Sequence, residues 1–462
     1  MLLLFAVVMV GKLVLSAHWG LMADEAYYWV WTQHLAWGYY DQPPFIAWVM
    51  AASVAVLGDS ELAVRLPTVV AGAAAPLFLW KSAGDKRLLL LWWLGVPSLC
   101  WLGWLGTPDA TLLAGWALAL AGACRGGRWW LLAGLGAAVA FLSKYSGAGV
   151  LPLLMLAAGP RELRTPWPWL GAALAAVLVF PNLLWNANND WVAFAFQFHE
   201  GLVSDTPPGL AGAARQVLEQ ALVLTPLCAA AAVWWVVRTA PTAIRWREAE
   251  PTDRVVRMAW MSSVPILVFF TVAATRDVAE AHWPAIAYVG IGLGLSHADG
   301  ILARLTRVGA WVGLMITGVL VVHTLTPLWT MTRDPAMRFT EGRIVAAGVA
   351  SWAYPVGVDQ TQRAPDGART VYTERYQEAS WVHFYTGIPA RRHLACGRQD
   401  QYDLWPVGDE HQPLFVRPGT RNRDNLCVDA DFERGPAHVF EVIDDQGRRT
   451  RKRQVFELTR RR

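Results

Sequence analysis

Two adjacent carboxylates, Asp24 and Glu25, stand where an apolar run over residues 1–17, long enough to cross a bilayer, gives way to the segment MADEAYYWVWTQHLAWGYYDQPPFIAW at 22–48. Ionisable groups at a membrane surface are costly to keep, which makes them functional candidates. On a helix the two side chains diverge by about 100°. One can therefore serve as a general base while the other caps the helix or complements its positive N-terminal end. Asp24 is read as the catalytic member and Glu25 as its neighbour in the same site. In Tyr39-Tyr40-Asp41-Gln42-Pro43-Pro44 the proline pair fixes the direction of Asp41. That carboxylate could ligate a metal, bind a sugar hydroxyl, or simply form a turn before proline. Asp109 follows Gly106-Thr107-Pro108 between two apolar runs and could equally be a helix cap.

Cations and amides complete the candidate set. Lys144, in Leu142-Ser143-Lys144-Tyr145, interrupts apolar sequence and suits a phosphate, with snorkelling to the interface as the bland reading. Tyr145 beside it joins the substrate-binding candidates, and Arg215 and Arg276 are weaker phosphate candidates. His282, in Glu280-Ala281-His282-Trp283-Pro284, could share a divalent metal with Asp41 or hydrogen-bond a sugar; an interfacial histidine is also often merely solvated. Asn182, Trp185, Asn186, Asn188, Asn189 and Trp191 combine amides with aromatic faces, which suits a carbohydrate or a capped helix end.

These residues need a scaffold, and composition says which kind. Of 462 residues, 55% are apolar and 16% charged, which excludes a disordered chain and disfavours an ordinary soluble enzyme. Many of the 27 Trp flank the ends of apolar runs, where an indole is half buried and its N–H is wet. Eleven apolar runs, from 1–20 to 308–330, predict about eleven helical spans. Residues 1–17 lack the basic start and cleavage site of a signal peptide, so the first span is read as retained. With the N-terminus cytoplasmic, fourteen Lys and Arg fall in inner connections, and only Arg65, Lys144, Arg215 and Arg276 on the outer side.

An odd span count then places the C-terminal segment outside. The chain reads as a mainly α polytopic membrane domain, 1–330, with aromatic-rich outer loops at 21–59 and 187–215. A small extracytoplasmic α+β domain follows at 331–462. Its expected strands are 370–373, 413–416, 438–442 and 454–458, with a turn at 444–447 and a helix over 376–385. If that domain is exported, Cys396 and Cys427 can form a disulfide; Cys100, Cys124 and Cys228 read as small core residues. There is no Walker motif, no glycine-rich nucleotide fingerprint and no internal repeat, which argues against a cytoplasmic nucleotide site. Nucleic acid is not expected as a partner.

Taken in order, the motifs resemble the dolichyl-phosphate-mannose protein mannosyltransferase superfamily, and within it the bacterial branch of lipid A aminoarabinose transferases and galacturonosyltransferase-like proteins. The residues that carry this are Asp24 and Glu25 after the first span, the element at 39–44, Thr107-Pro108-Asp109, Leu142-Ser143-Lys144, Trp185-Asn186 and Ala281-His282-Trp283-Pro284. Arg375-Tyr376-Gln377-Glu378 and Gln401-Tyr402-Asp403-Leu404-Trp405 add to the set. Where the aminoarabinose transferases carry Glu-Lys before proline, this chain has Asp41 and Gln42. The resemblance implies a GT-C glycosyltransferase in a bacterial plasma membrane. It implies a polyprenyl-phosphate sugar as donor, a lipid, glycan or protein as acceptor, and inversion at the anomeric carbon. Asp24 would act on the acceptor, Lys144 and Arg276 would hold the lipid phosphate, and a divalent metal near Asp41 and His282 is allowed without being required. Apart from the resemblance, a secondary transporter with an outward-facing acidic site is the competing class. A lipid-directed hydrolase would need a nucleophile and histidine motif that the chain lacks.

Overall fold

The computed structural model describes residues 1–197, 208–245, 251–277, 279–331, 334–354, 363, 366–406, 410–419 and 426–461. Part of the expected outer loop 187–215, residues 198–207, lies outside that set. The described chain is mostly helical. It divides into two compact units. One comprises residues 1–14, 36–46 and 65–319; the other comprises 15–35, 47–64 and 320–462.

The N-terminal helices are α1 (Leu2–His18), α2 (Ala23–Thr32), α3 (Phe45–Leu57) and α4 (Glu61–Phe78). Next come α5 (Lys86–Gly95), α6 (Pro97–Leu102), α7 (Pro108–Arg125), α8 (Trp130–Ser143), α9 (Val150–Leu163), α10 (Trp167–Asn188) and α11 (Val192–Ala195). The series continues with α12 (Gly209–Leu224), α13 (Pro226–Ile244), α14 (Pro251–Met261), α15 (Val264–Ala273), α16 (Ala287–Leu295) and α17 (Gly300–Leu325).

Among the described residues five helices are long and apolar enough to span a membrane: α4, α10, α13, the stretch Thr252–Ala273 and α17. Taken together α1 and α2 would make a sixth, but an 80° bend separates them, so α2 turns out of the line of α1. The expectation of eleven spans rested on apolar runs, and several of those runs form shorter elements. The run at 87–106, for example, breaks at Pro97 into α5 and α6. Along α7 nearly every residue is buried, so its apolar character serves contact with protein rather than lipid. The lipid-facing signature is clear elsewhere: Val177, Phe180 and Leu184 on α10 and Ile301, Trp311 and Met315 on α17 are large and exposed.

Small residues let the membrane helices approach closely. A Cβ on Gly134 of α8 would lie 2.0 Å from the carbonyl oxygen of Gly171 on α10. Gly115 of α7 meets the backbone of Ala140 in the same way, at 2.5 Å. Without water to drive association, such backbone contact is a main source of helix affinity. Lys12, hidden in the first apolar run, is 4% exposed. Its ammonium donates to the carbonyl of Cys100 at 2.7 Å, near the end of α6, so the buried charge has a backbone acceptor.

The second unit contains a sheet. The strands are β1 (Val371–Thr373), β2 (Ala390–Arg392), β3 (Leu414–Pro418), β4 (Phe432–Arg434), β5 (His438–Phe440) and β6 (Arg453–Arg460), in the order β2-β1-β3-β6-β4 with β5 also on β6. The helices here are α18 (Glu341–Ala353), α19 (Tyr376–Thr386) and α20 (Gln401–Leu404). β1 and β2 are parallel and joined through α19, while β3 and β5 run antiparallel to β6. The turn at 444–447 closes with the Gly447 N–H on the Asp444 carbonyl at 2.9 Å. Arg448 reaches from this turn to the carbonyls of His323 and Thr324 at the end of α17, at 3.4 and 3.3 Å. Gln446 donates to that of Leu325.

Phe415, Val428, Phe432 and Phe456 form the core behind the sheet, against the disulfide between Cys396 and Cys427. The bridge closes a sequence separation of 31 residues. A Cys396→Ser, Cys427→Ser double variant is expected to lose about 3–4 kcal/mol from this unit through chain entropy. The measurement is the denaturant midpoint of the full-length protein in detergent, and an unchanged midpoint would contradict the expectation.

Candidate functional site

The two acidic residues after the first helix take different tasks. Glu25 is fully buried, and its carboxylate accepts the Met22 N–H at 2.8 Å, so it satisfies a donor at the start of α2. Asp24 turns elsewhere and accepts a hydrogen bond from the Tyr376 hydroxyl at 2.9 Å. Tyr376 opens α19, and its ring packs on Tyr27 of α2 with centroids 4.5 Å apart. The Tyr385 hydroxyl accepts the Leu21 N–H at 2.7 Å, and the Trp381 indole donates to the Leu21 carbonyl at 3.0 Å. The Gln401 N–H donates to the Tyr27 hydroxyl at 2.8 Å. Helix α2 is thereby seated against α19 and α20.

Asp24 opens onto a cavity of about 790 Å³. Arg338, Arg375, Arg449 and Arg451, all exposed, line it, and Glu378 and Arg453 form part of its wall. The other carboxylates of the wall are engaged. Glu341 pairs with Arg453 and accepts from the Thr450 hydroxyl, and Asp334 bonds the His323 ring at 3.1 Å. Glu378 is nearly fully buried, 3.3 Å from Arg453, and burial raises its carboxyl above the ordinary range. The same cause raises that of Asp24, although its side chain is exposed to the cavity: desolvation by the surrounding protein outweighs the bond from Tyr376 and the attraction of Arg398 and Arg338, while Glu25 adds to the rise. The cavity therefore holds a carboxylate of raised proton affinity beside a cluster of cations.

A second cluster belongs to the first unit. Asp109 lies in the first turn of α7, where Pro108 has no N–H to lose. The Lys144 ammonium donates to its Oδ1 at 2.9 Å and the Thr107 hydroxyl to its Oδ2 at 3.3 Å. Lys144 is itself the extended residue that ends α8 before the turn Tyr145–Gly149. The Tyr145 hydroxyl accepts from Asn186 at 3.0 Å, and Asn186 also donates to the Asn182 carbonyl. His282 lies within electrostatic reach of Asp109. Asp109, Lys144, Tyr145, Asn186 and His282 thus form one neighbourhood. Arg276 is exposed just beyond α15. Asp41 is 7% exposed, and its backbone carbonyl accepts from Gln197 at 2.8 Å.

Several readings shift in detail. Asn182 and Trp185 fasten the segment around residue 38: Asn182 donates to the Trp37 carbonyl at 2.7 Å, and a Cβ on Gly38 would strike the Trp185 ring at 2.3 Å. Among the described residues no three His, Cys, Asp or Glu side chains converge as a metal site would require, so Asp41 and His282 gain no third ligand of that kind. Sequence reasoning passed over Tyr376 and the arginines as site residues. The signal present was the run Arg448-Arg449-Thr450-Arg451-Lys452-Arg453, together with a C-terminal segment from 331 that holds 21 of the 40 basic residues.

Comparison with known proteins agrees with this picture. Residues 41–185 match the family model "Dolichyl-phosphate-mannose-protein mannosyltransferase", a stretch that includes Asp41, Asp109, Lys144 and Tyr145. The lipid A galacturonosyltransferase RgtD of Rhizobium johnstonii is 32% identical over 285 residues, which are 58% of this chain and 58% of that protein. Two crystal structures of ArnT from Cupriavidus metallidurans share the fold over 98% of this chain and 97% of theirs. The apo form gives a TM-score of 0.64 at 15% identity, and the form bound to undecaprenyl phosphate 0.61 at 14%. Family match, curated relative and shared fold point the same way: residues 41–185 are similar to the mannosyltransferase family, somewhat more than half of the chain is similar to a lipid A galacturonosyltransferase, and the chain shares the ArnT fold.

Proposed function

We propose that this protein is a membrane glycosyltransferase that moves a sugar from a polyprenyl-phosphate donor to an acceptor outside the cytoplasm. The observation that carries the reading is the Asp24 carboxylate, held by a tyrosine hydroxyl in a large cavity among arginines. The N-terminus would be cytoplasmic, residues 1–330 the membrane domain, and 331–462 an extracytoplasmic domain. No nucleotide-sugar pool exists there, so the sugar must arrive already activated on a lipid, with its phosphate as leaving group.

Asp24 is the general base, and Glu25 supports it by fixing the start of α2. In the first unit, Lys144 is the cation for the donor phosphate, with Asp109, Tyr145, Asn186 and His282 around it and Arg276 and Asp41 as further binding residues. A positioned ammonium stabilises charge that develops on a departing phosphate. The arginines of the Asp24 cavity suit an acceptor that itself carries phosphate or carboxylate, as a lipid A molecule does. RgtD is named for action on lipid A, and the ArnT structure holds undecaprenyl phosphate; both point to the same pair of substrate classes.

The test is release of free polyprenyl phosphate by the protein in nanodiscs, from a panel of polyprenyl-phosphate sugars, with and without lipid A. Acceptor-stimulated release from one donor is expected. Absence of both release and donor binding across the panel would defeat the reading in favour of transport.

A further inference from the structure

We infer that Tyr376, from the sheet-bearing part of the second unit, is a positioning residue for Asp24: its hydroxyl fixes which carboxylate oxygen is left to receive the acceptor's proton. The inference rests on the proposed transferase reading. The Tyr376 hydroxyl donates to Oδ1 of Asp24 at 2.9 Å, so Oδ2 is the oxygen left for the acceptor.

Tyr376 is itself held firmly. Its backbone carbonyl accepts from the Ser380 hydroxyl at 2.8 Å, one turn along α19. Its ring lies against Tyr27, and the Arg398 guanidinium stands 5.7 Å over it. Tyr27 is pinned in turn by the Gln401 N–H and packs near Tyr402, at 6.0 Å between centroids. With both rings fixed, the hydroxyl has a set direction, and so does the carboxylate it bonds.

The proton balance is simple. The acceptor hydroxyl gives its proton to Oδ2 as its oxygen bonds the anomeric carbon. The bond from that carbon to the phosphate oxygen breaks, and the electron pair leaves with polyprenyl phosphate. A hydroxyl that donates to Oδ1 stabilises the ionised form and keeps Asp24 available as a base. The charged groups facing Asp24 are Arg338 from the turn Pro335–Phe339, Arg398 after β2, and Glu25 on its own helix; Arg375 and Glu378 line the same cavity. Tyr376 is the uncharged donor in this set, and its removal leaves the charges in place.

The experiment uses full-length protein in nanodiscs, wild type beside Tyr376→Phe, with Asp24→Asn to assign the carboxyl signal. Titration of ¹³C-labelled aspartate should show the Asp24 midpoint moving upward in Tyr376→Phe, because a bond to the charged form is lost. Transfer should fall about tenfold in kcat with KM nearly unchanged, and the acid limb of the pH profile should move to higher pH. An unmoved midpoint and profile, with Asp24→Asn inactive, would overturn the positioning role alone. Equal transfer by Asp24→Asn and wild type would overturn the base reading and this inference with it.

Discussion

Asp24→Asn is expected to lower sugar transfer by about 10²–10⁴-fold, the usual worth of a general base, with KM for donor and acceptor little changed. The amide matches the carboxylate in shape, and its oxygen can still accept from the Tyr376 hydroxyl, so the seat of α2 against α19 should persist. The change removes proton affinity and little else. Glu25→Gln is the companion variant. Its amide oxygen can still accept the Met22 N–H, so most of the rate should remain. A larger loss from Glu25→Gln than from Asp24→Asn would exchange the two roles. The sign of the pH dependence follows from the raised carboxyl of Asp24: activity should fail on the acid side at a pH above that of an ordinary aspartate, since the base must be ionised to act.

The second large effect is expected at Lys144. Lys144→Met should reduce donor-dependent turnover by about 10²–10³-fold, the magnitude typical of removing one group that stabilises transition-state charge. The variant also strands Asp109, because the paired side chains are only 15% and 11% exposed. Leaving one partner of a buried pair costs about 3–5 kcal/mol, so a fall in activity alone would be ambiguous. The double variant Lys144→Met, Asp109→Asn removes both charges and should recover stability. If Lys144 handles the donor phosphate, the double variant stays slow while its thermal midpoint returns toward wild type. Recovery of turnover together with stability would make the pair structural.

How much could be read from the chain depends on whether the signal is local. The membrane character follows from apolar runs, and the strands β1, β3, β5 and β6 fall where alternating apolar residues placed them. The disulfide between Cys396 and Cys427 joins the cysteines of the polar segment. Asp109 and Lys144 were marked separately as interruptions of apolar sequence, and the structure joins them at 2.9 Å. Tyr376 is different. It meets a residue 352 positions earlier, and nothing in its local sequence says which carboxylate it will find. The exposed arginines around the cavity come from three separate segments for the same reason. Lys12 escaped notice because one lysine hardly changes the average of a long apolar run, although its carbonyl partner near the end of α6 makes it a fastening point. Span counting meets the opposite difficulty: an apolar helix enclosed by protein, such as α7, has the same composition as one enclosed by lipid.

The contact between the 444–447 turn and the end of α17 has a consequence for how this protein comes apart. A helix leaves its last carbonyls without partners, and here Arg448 and Gln446 supply donors to those of His323, Thr324 and Leu325. Arg448 is held for the task by Asp444, at 2.6 Å. The final turn of the helix and a hairpin more than a hundred residues later therefore form one cooperative unit, fraying together or not at all. A chain shortened before residue 444 would lose more than a peripheral appendage: it would bare the end of its last long apolar helix.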